Sequence, residues 1–236
     1  MKAETSPRAV GRTIGALFLV LLLCGIFAQG FIFDRLINFA DAEGTAANVL
    51  GNLGLMRAGF AVFVIEMTCQ VTIAALWYIL LRPVNKTIAL SATFIDLTGA
   101  IVKMGARVFF LAPMWVLSNG TALTGWSTEQ VHSMGLALFR IGDEGAATAM
   151  AFFGFAGILK GYLVLRSGFL PAWLGALEVV SGLGWLTFLY PAFGRSAFMY
   201  TAMVSLLSSL IMIVWLLIKS VDADKWRERN ALAGAA

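Results

Sequence analysis

Charged residues are scarce in this chain of 236 residues. Lys, Arg, Asp and Glu make up 13% of it and hydrophobic residues make up 60%, whereas soluble domains contain about 25% charged and about 45–50% apolar residues. The mean hydropathy is +0.86. This composition excludes a disordered chain, a coiled coil and an ordinary soluble enzyme, and it indicates that the chain lies in a membrane.

Residues that bind metals are equally rare, with one His and two Cys in the whole chain. Cys24 and Cys69 stand singly in apolar runs, as cysteines that pack like small hydrophobic residues do. This pattern supports neither a zinc site nor a bis-histidine haem, and no DDxxD-type metal motif is present. We therefore expect no metal and no cofactor. We also expect no nucleic-acid partner, because no basic stripe is interleaved with aromatic residues.

Six apolar segments, in contrast, have the length of about 20 residues that crosses a bilayer. The predicted spans are Thr13–Phe33, Met56–Leu81, Ile88–Leu117, Thr128–Arg166, Pro171–Pro191 and Ala197–Ile218. The fold class predicted from them is an all-α bundle of six transmembrane helices. The longest connection, Asp34–Leu55, fits a short amphipathic helix at the membrane surface and a plain loop equally well.

Several local signals refine the spans. Ser127 and Gln130 have the spacing of a capping box, which predicts the start of the fourth helix. That helix would be about 58 Å long at 1.5 Å per residue, so we expect it to project from the membrane or to bend at Gly142 or Gly145. We expect Pro113 to kink or fray the third helix.

Basic residues predict the orientation, because they accumulate on the cytoplasmic side of membrane proteins. With both termini inside, the outer side holds Arg35, Arg57 and Arg195. The inner side then holds eleven basic residues, namely Lys2, Arg8, Arg12, Arg82, Lys86, Lys160, Arg166, Lys219, Lys225, Arg227 and Arg229. We predict a cytoplasmic segment over residues 1–12, a membrane domain over 13–218 and a cytoplasmic tail over 219–236. The spans and the basic residues together predict a multi-pass protein of the inner, or plasma, membrane.

Ionisable residues inside the spans are the main indication of function. Away from the span ends there are eight, namely Glu66, Asp96, Lys103, Arg107, Arg140, Asp143, Glu144 and Glu178. A charged side chain at the bilayer centre costs at least about 2.5–3.5 kcal/mol, so such residues face the bundle interior, pair, or line water.

Spacing and depth group these residues. Asp96, Lys103 and Arg107 fall on one helical stripe, and Glu66 lies one turn from Gln70. Glu66 and Lys103 lie about 22 Å from the inner boundary at 1.5 Å per residue, which predicts that they pair in an outer-half cluster. Arg140, Asp143 and Glu144 share one face of the fourth helix and join that cluster. Asp96 and Glu178 form a second, acidic group nearer the inner boundary.

Two interpretations of these charges stay open. In the first they form closed salt bridges, with Arg107 or Arg140 pairing with Asp143 or Glu144, and only fix the register of the helices. In the second they line a polar cavity. The five acids and three bases within the spans favour this second interpretation, because an unpaired carboxyl is either protonated or exposed to water. The residues that would then bind a ligand are Glu66, Gln70, Asp96, Lys103, Arg107, Arg140, Asp143 and Glu144.

Three functions are compatible with this pattern. The first is a carrier of a small solute, coupled to protons or not, for which a second copy of the chain could supply further helices. The second is an intramembrane enzyme acting on a lipid or isoprenoid, with Glu66, Asp96 or Glu178 as a carboxyl general acid. The third is a non-catalytic accessory protein. Membrane lipids are expected partners in all three, and a polar or lipophilic small molecule is expected in the first two.

Motifs at the helix boundaries resemble those of a known family. These are Leu80–Lys86 (LLRPVNK) after the second span, Arg166–Pro171 (RSGFLP) with Leu174-Gly175 at the fifth, and Gly25–Ala28 (GIFA) in the first. In combination they resemble the bacterial integral-membrane family catalogued as domain of unknown function 4386, over about residues 11 to 218. The resemblance implies a polytopic helical membrane protein and implies no activity.

Overall fold

The computed structural model describes residues 6–120 and 125–235, and the described residues are helical with no strand among them. Within these described ranges, six helices are long and apolar enough to cross a membrane. They are Pro7–Leu36, Leu53–Leu81, Lys86–Ser118, Thr128–Ser167, Ala172–Leu189 and Pro191–Ile218. The predicted fold class is thereby confirmed. Of the predicted features, Lys2 and the first five residues of the N-terminal segment lie outside the described residues, as does Ala236 of the tail.

In chain order the helices are α1 to α9, and α1 continues through a π-helical segment into the short α2. Their bounds are α1 Pro7–Gly25, the π segment Ile26–Phe33, α2 Asp34–Leu36, α3 Ala42–Gly51, α4 Leu53–Leu81, α5 Lys86–Ser118, α6 Thr128–Ser167, α7 Ala172–Trp185, a 3-10 turn Leu186–Leu189, α8 Pro191–Ile218 and α9 Ala223–Ala235.

Helix ends follow the local sequence signals in most places. The capping box is present, because the Ser127 amide donates to Gln130 Oε1 at 2.8 Å and the Gln130 amide donates to Ser127 Oγ at 3.2 Å. Of the two alternatives for Asp34–Leu55, the short helix is the one present, as α3, whose N-cap Asp41 accepts from the Gly44 amide at 2.8 Å. Pro171 precedes α7 as its N-cap and is not its first helical residue. Pro113 does not end α5, which continues to Ser118.

The chain forms two compact units. The first contains the described residues of Met1–Val20, Cys69–Ala100 and Thr148–Ala236, and the second contains Leu21–Thr68 and Ile101–Ala147. Helices α1, α4, α5 and α6 contribute residues to both units. Each unit has its own core and its own cluster of polar side chains.

The first unit is held by close helix contacts at glycines. A Cβ placed on Gly161 of α6 would lie 2.7 Å from the carbonyl oxygen of Gly175 on α7, and one on Gly154 would lie 2.8 Å from that of Gly182. Only glycine permits backbones to approach so closely. Within this unit, α9 contacts α4 through Trp226, whose indole N–H donates to the Leu80 carbonyl at 2.8 Å.

The second unit has an aromatic core. The rings of Phe33 and Phe63 lie 5.1 Å apart, and Phe110 packs edge-on against Phe33 at 4.6 Å and against Phe139 at 5.6 Å. Edge-to-face and offset rings at these distances add about 0.5–1.5 kcal/mol per pair beyond burial. At Gly142, where a bend was predicted, glycine lets α6 approach the Ala106 carbonyl of α5, 3.0 Å from where its Cβ would be.

Candidate functional site

The Glu66 cluster of the second unit contains Glu66, Lys103, Arg107, Gln29 and Asp34. The Lys103 ammonium lies 2.6 Å from Glu66 Oε1, which confirms the contact predicted from equal depth on two neighbouring helices. Glu66 is 3% exposed. A carboxylate so buried requires a cation, because its desolvation costs several kcal/mol.

Arg107 lies one turn beyond Lys103 on α5 and is 5% exposed. Its guanidinium carbon stands 3.9 Å from the centroid of the Phe63 ring and 4.8 Å from that of Phe110. Such cation–π contacts stabilise a desolvated guanidinium by about 2 kcal/mol. Its Nη2 donates to Gln29 Oε1 at 3.1 Å. The partners predicted for Arg107 were Asp143 and Glu144, and Gln29 was missed.

Gln29 lies in the π-helical segment, where backbone hydrogen bonds join residues five positions apart. One of these is the bond that the Asp34 amide donates to the Gln29 carbonyl. Its side-chain amide donates to Asp34 Oδ1 at 2.7 Å. A row of hydrogen-bonded side chains therefore runs from Asp34 through Gln29 to Arg107. π-Helical turns are rare and occur frequently at functional sites.

Three buried polar atoms of the cluster have no hydrogen-bond partner among the described residues. They are Glu66 Oε2, Arg107 Nε and Arg107 Nη1. The two Arg107 atoms belong to a guanidinium stacked on aromatic rings, which compensates them in part. Glu66 Oε2 is stacked on no ring, although its carboxylate lies within electrostatic range of Arg107. A buried group left without a hydrogen-bond partner costs about 1–3 kcal/mol, more when charged.

A polar cleft of about 630 Å³ opens at the Asp34 end of the row. Its lining residues are Asp34, Ile37, Asn38, Phe39, Ala40 and Arg140. The Arg140 guanidinium lies 4.4 Å from the centroid of the Phe39 ring and donates to the Phe39 carbonyl at 3.5 Å. The cleft reaches Asp34 and Arg140, while Glu66 does not line it.

The Asp96 cluster belongs to the first unit and contains Asp96, Gln70, Lys160 and Glu178. Asp96 is 1% exposed. It accepts from Gln70 Nε2 at 2.6 Å and from Lys160 Nζ at 3.1 Å. Glu178 of α7 lies within electrostatic range of Lys160. The acidic group predicted at this depth therefore contains a lysine.

Two groupings from the sequence need correction. Lys160 was assigned to the flanking basic residues, and it is paired with the buried Asp96. Its depth, about 9 Å from Arg166 at 1.5 Å per residue, is close to that of Asp96 and was the available signal. Glu66 and Gln70, although one turn apart, belong to different clusters and different units.

The three charged residues on one face of α6, Arg140, Asp143 and Glu144, have different surroundings within the second unit. Arg140 lines the polar cleft. Asp143 is half-buried and lies within electrostatic range of Arg107, and Glu144 is half-buried as well. The pairing of Asp143 or Glu144 with an arginine stays a prediction. Among the described residues no group of three or more His, Cys, Asp and Glu side chains could hold a metal ion.

Comparison with known proteins confirms the family resemblance expected from the boundary motifs. The family model described as Domain of unknown function (DUF4386) matches residues 13–220. The chain is also similar to an uncharacterized protein of Archaeoglobus fulgidus, 29% identical over 150 residues that cover 64% of this chain and 76% of the relative. No solved structure matches. Since this relative is archaeal, the bacterial inner membrane stays a prediction.

Proposed function

We propose that this chain, which belongs to the family described as Domain of unknown function (DUF4386), is a proton-coupled carrier of a small polar solute. Its six long apolar helices make it an integral membrane protein. The observation that carries the proposal is the hydrogen-bonded row from the polar cleft to Arg107. Arg107 lies one turn from Lys103, which pairs with the buried Glu66 carboxylate, and Glu66 Oε2 has no hydrogen-bond partner among the described residues.

Glu66 is the proposed proton site. Its Oε1 holds Lys103 at 2.6 Å, and its buried Oε2 lacks a hydrogen-bond partner among the residues described. A proton on Oε2 would neutralise the carboxylate and remove the attraction that holds the ammonium. The pair thus has two states, and a solute that binds one of them better shifts their populations.

The polar cleft is the proposed entry for the solute. Asp34 and Arg140 give it one charge of each sign, which suits a small polar or zwitterionic molecule better than a large ion of either sign. Because Asp34 accepts from Gln29 and Gln29 accepts from Arg107, a change of charge in the cleft alters the hydrogen bonding of Arg107. The cleft is thereby coupled to Arg107, which lies one turn from the Lys103 that pairs with Glu66.

Charge movement after a pH step tests the proton site without knowledge of the solute. The purified protein is placed on a solid-supported membrane, and the transient current is recorded. We expect the parent protein to give a current, because protons travel to a carboxylate inside the apolar region. Glu66→Gln with Lys103→Met should abolish it, since that variant has neither the proton site nor an uncompensated lysine.

The matched control is Glu228→Gln, which removes an exposed carboxylate on α9 and should leave the current unchanged. A parent current no larger than that of a protein-free membrane would overturn the proposal. So would equal currents from the parent and the double variant.

The two alternatives have less support. The enzyme alternative needs one of its candidate acids, Glu66, Asp96 or Glu178, beside a pocket for a lipid, and none of the three lines the polar cleft. An accessory protein would account for the two buried ion pairs, Lys103 with Glu66 and Lys160 with Asp96, but it gives no role to the cleft or to the row that leads from it. It also predicts no current in the pH-step experiment, so the same measurement separates it from a carrier.

A further inference from the structure

An apolar groove of about 380 Å³ lies on the first unit, between α7 and the end of α8. Trp173 and Trp215 form its aromatic wall, with their rings 5.6 Å apart and perpendicular. Leu210, Val214 and Ile218 follow one another along α8, and Lys219 stands at the end. We propose that this groove binds an anionic phospholipid, with one acyl chain along α8 and the headgroup at Lys219.

The dimensions fit an acyl chain. From Leu210 to Ile218 the groove follows α8 for about 12 Å at 1.5 Å per residue. One leaflet contributes about half of the roughly 30 Å hydrocarbon core, so the groove holds most of the length of one chain. Apart from Lys219 every lining side chain is apolar or an indole, which suits a hydrocarbon and offers nothing to a polar solute.

The charge at the end of the groove favours an anionic headgroup. Lys219 is exposed where α8 ends, and within residues 6–120 and 125–235 no carboxylate pairs with its ammonium. The nearest carboxylate along the chain, Asp222, lies 3.8 Å from Lys225 and caps α9 by accepting from the Asp224 and Lys225 amides. Lys219 is therefore available to a phosphate.

The aromatic wall is held in place by the protein. The Trp215 indole N–H donates to the Ser220 carbonyl at 3.1 Å, which ties the ring to the turn after α8. Tryptophan is enriched at the level of lipid headgroups, because its ring is apolar and its N–H is polar. A Trp pair beside a lysine thus defines both the depth and the polarity of the expected lipid.

Native mass spectrometry of the full chain in detergent measures the first lipid bound. Phosphatidylglycerol and phosphatidylethanolamine with identical acyl chains are added separately. We expect the parent to prefer phosphatidylglycerol, and Lys219→Gln to lower that preference about fivefold, the factor that corresponds to the roughly 1 kcal/mol of one lysine near an anionic surface. The matched control, Lys225→Gln, removes a lysine outside the groove and should change the preference less than twofold.

Val214→Trp tests the groove itself. Val214 is 52% exposed, so a larger side chain there fills the groove without disturbing the core, and it should weaken the binding of both lipids. Equal lipid binding by this variant and the parent would overturn the groove as the site. An unchanged preference in Lys219→Gln would overturn the headgroup assignment. If the parent is a dimer in the same detergent and Val214→Trp is a monomer that still binds lipid, a second copy of the chain occupies the groove instead.

Discussion

Two lysines of this protein lie beside carboxylates in the membrane-spanning helices, and the sequence identified only one of them as buried. Lys103 stands far from either end of its apolar run, so its depth indicated that it needs an anionic partner. Glu66 lies at the same depth on the preceding helix. Lys160 stands six residues from Arg166, close enough to the end of the run to resemble a flanking cation. Including it gives four bases against five acids in the spans, which weakens the charge imbalance that favoured a cavity.

Gln29 was missed for a different reason. It is a neutral amide in an apolar run, and its only recognisable signal is that a polar side chain there requires a partner. Whether it faces Arg107 or lipid depends on the π-helical segment, which shifts the face that each residue presents. Hydrophobic periodicity assumes regular helix and does not reveal such a segment.

A double-mutant cycle tests the buried pair Glu66 and Lys103. Glu66→Gln leaves Lys103 uncompensated and should lower the free energy of unfolding by about 3–5 kcal/mol, as removal of one partner of a buried pair does. Adding Lys103→Met should recover much of that loss, because no unpaired charge remains. The measurement is equilibrium unfolding in detergent micelles. If both variants were as stable as the parent, the two residues would not form a buried pair.

At the scale of helices, the apolar runs located every span but not every end. The first and sixth helices begin at Pro7 and Pro191, about six residues before the predicted starts, because a helix continues beyond its hydrophobic stretch until capping or a breaker ends it. Which of the 24 glycines serve in a contact was decided by the neighbouring helix.

Two glycine-to-alanine substitutions with opposite expected effects test the helix contacts. A Cβ on Gly161 would lie 2.7 Å from the Gly175 carbonyl oxygen, whereas a Cβ on Gly105 of α5 would meet no atom within 4 Å. We expect Gly161→Ala to destabilise the fold by roughly 1–3 kcal/mol through overpacking. Gly105→Ala should stabilise it by about 0.5–1 kcal/mol through helix propensity.

Thermal unfolding in detergent with fluorescence detection distinguishes the two variants. A stability of Gly161→Ala equal to that of the parent would mean that α6 and α7 do not approach as closely as described.

At the scale of the whole molecule, the distribution of basic residues predicts the orientation. Reassigning Lys160 leaves ten basic residues on the inner side against Arg35, Arg57 and Arg195 on the outer side, so the asymmetry persists. Charges buried in a cluster contribute less to orientation than those in loops, because the positive-inside rule acts through loops and helix flanks. Both termini are therefore still expected in the cytoplasm.

Reporter fusions test this orientation. Alkaline phosphatase fused after Asn119 should be active, since that loop is expected outside, and a green fluorescent protein at the C-terminus should fluoresce, since it matures in the cytoplasm. An inactive phosphatase at Asn119, or a dark C-terminal fusion in a well-expressed protein, would reverse the predicted topology.

Composition and the length of apolar runs determined that this is a membrane protein with six membrane-spanning helices, because a bilayer imposes one thickness on every span. They also determined that its intramembrane charges need partners, because hydrocarbon offers none. The partners themselves were decided by tertiary structure. Glu66 meets Lys103, while Gln70, one turn away, meets Asp96. Which neighbour a polar side chain contacts depends on helix rotation and on where glycines allow close approach, and neither is encoded in the local pattern of any single helix.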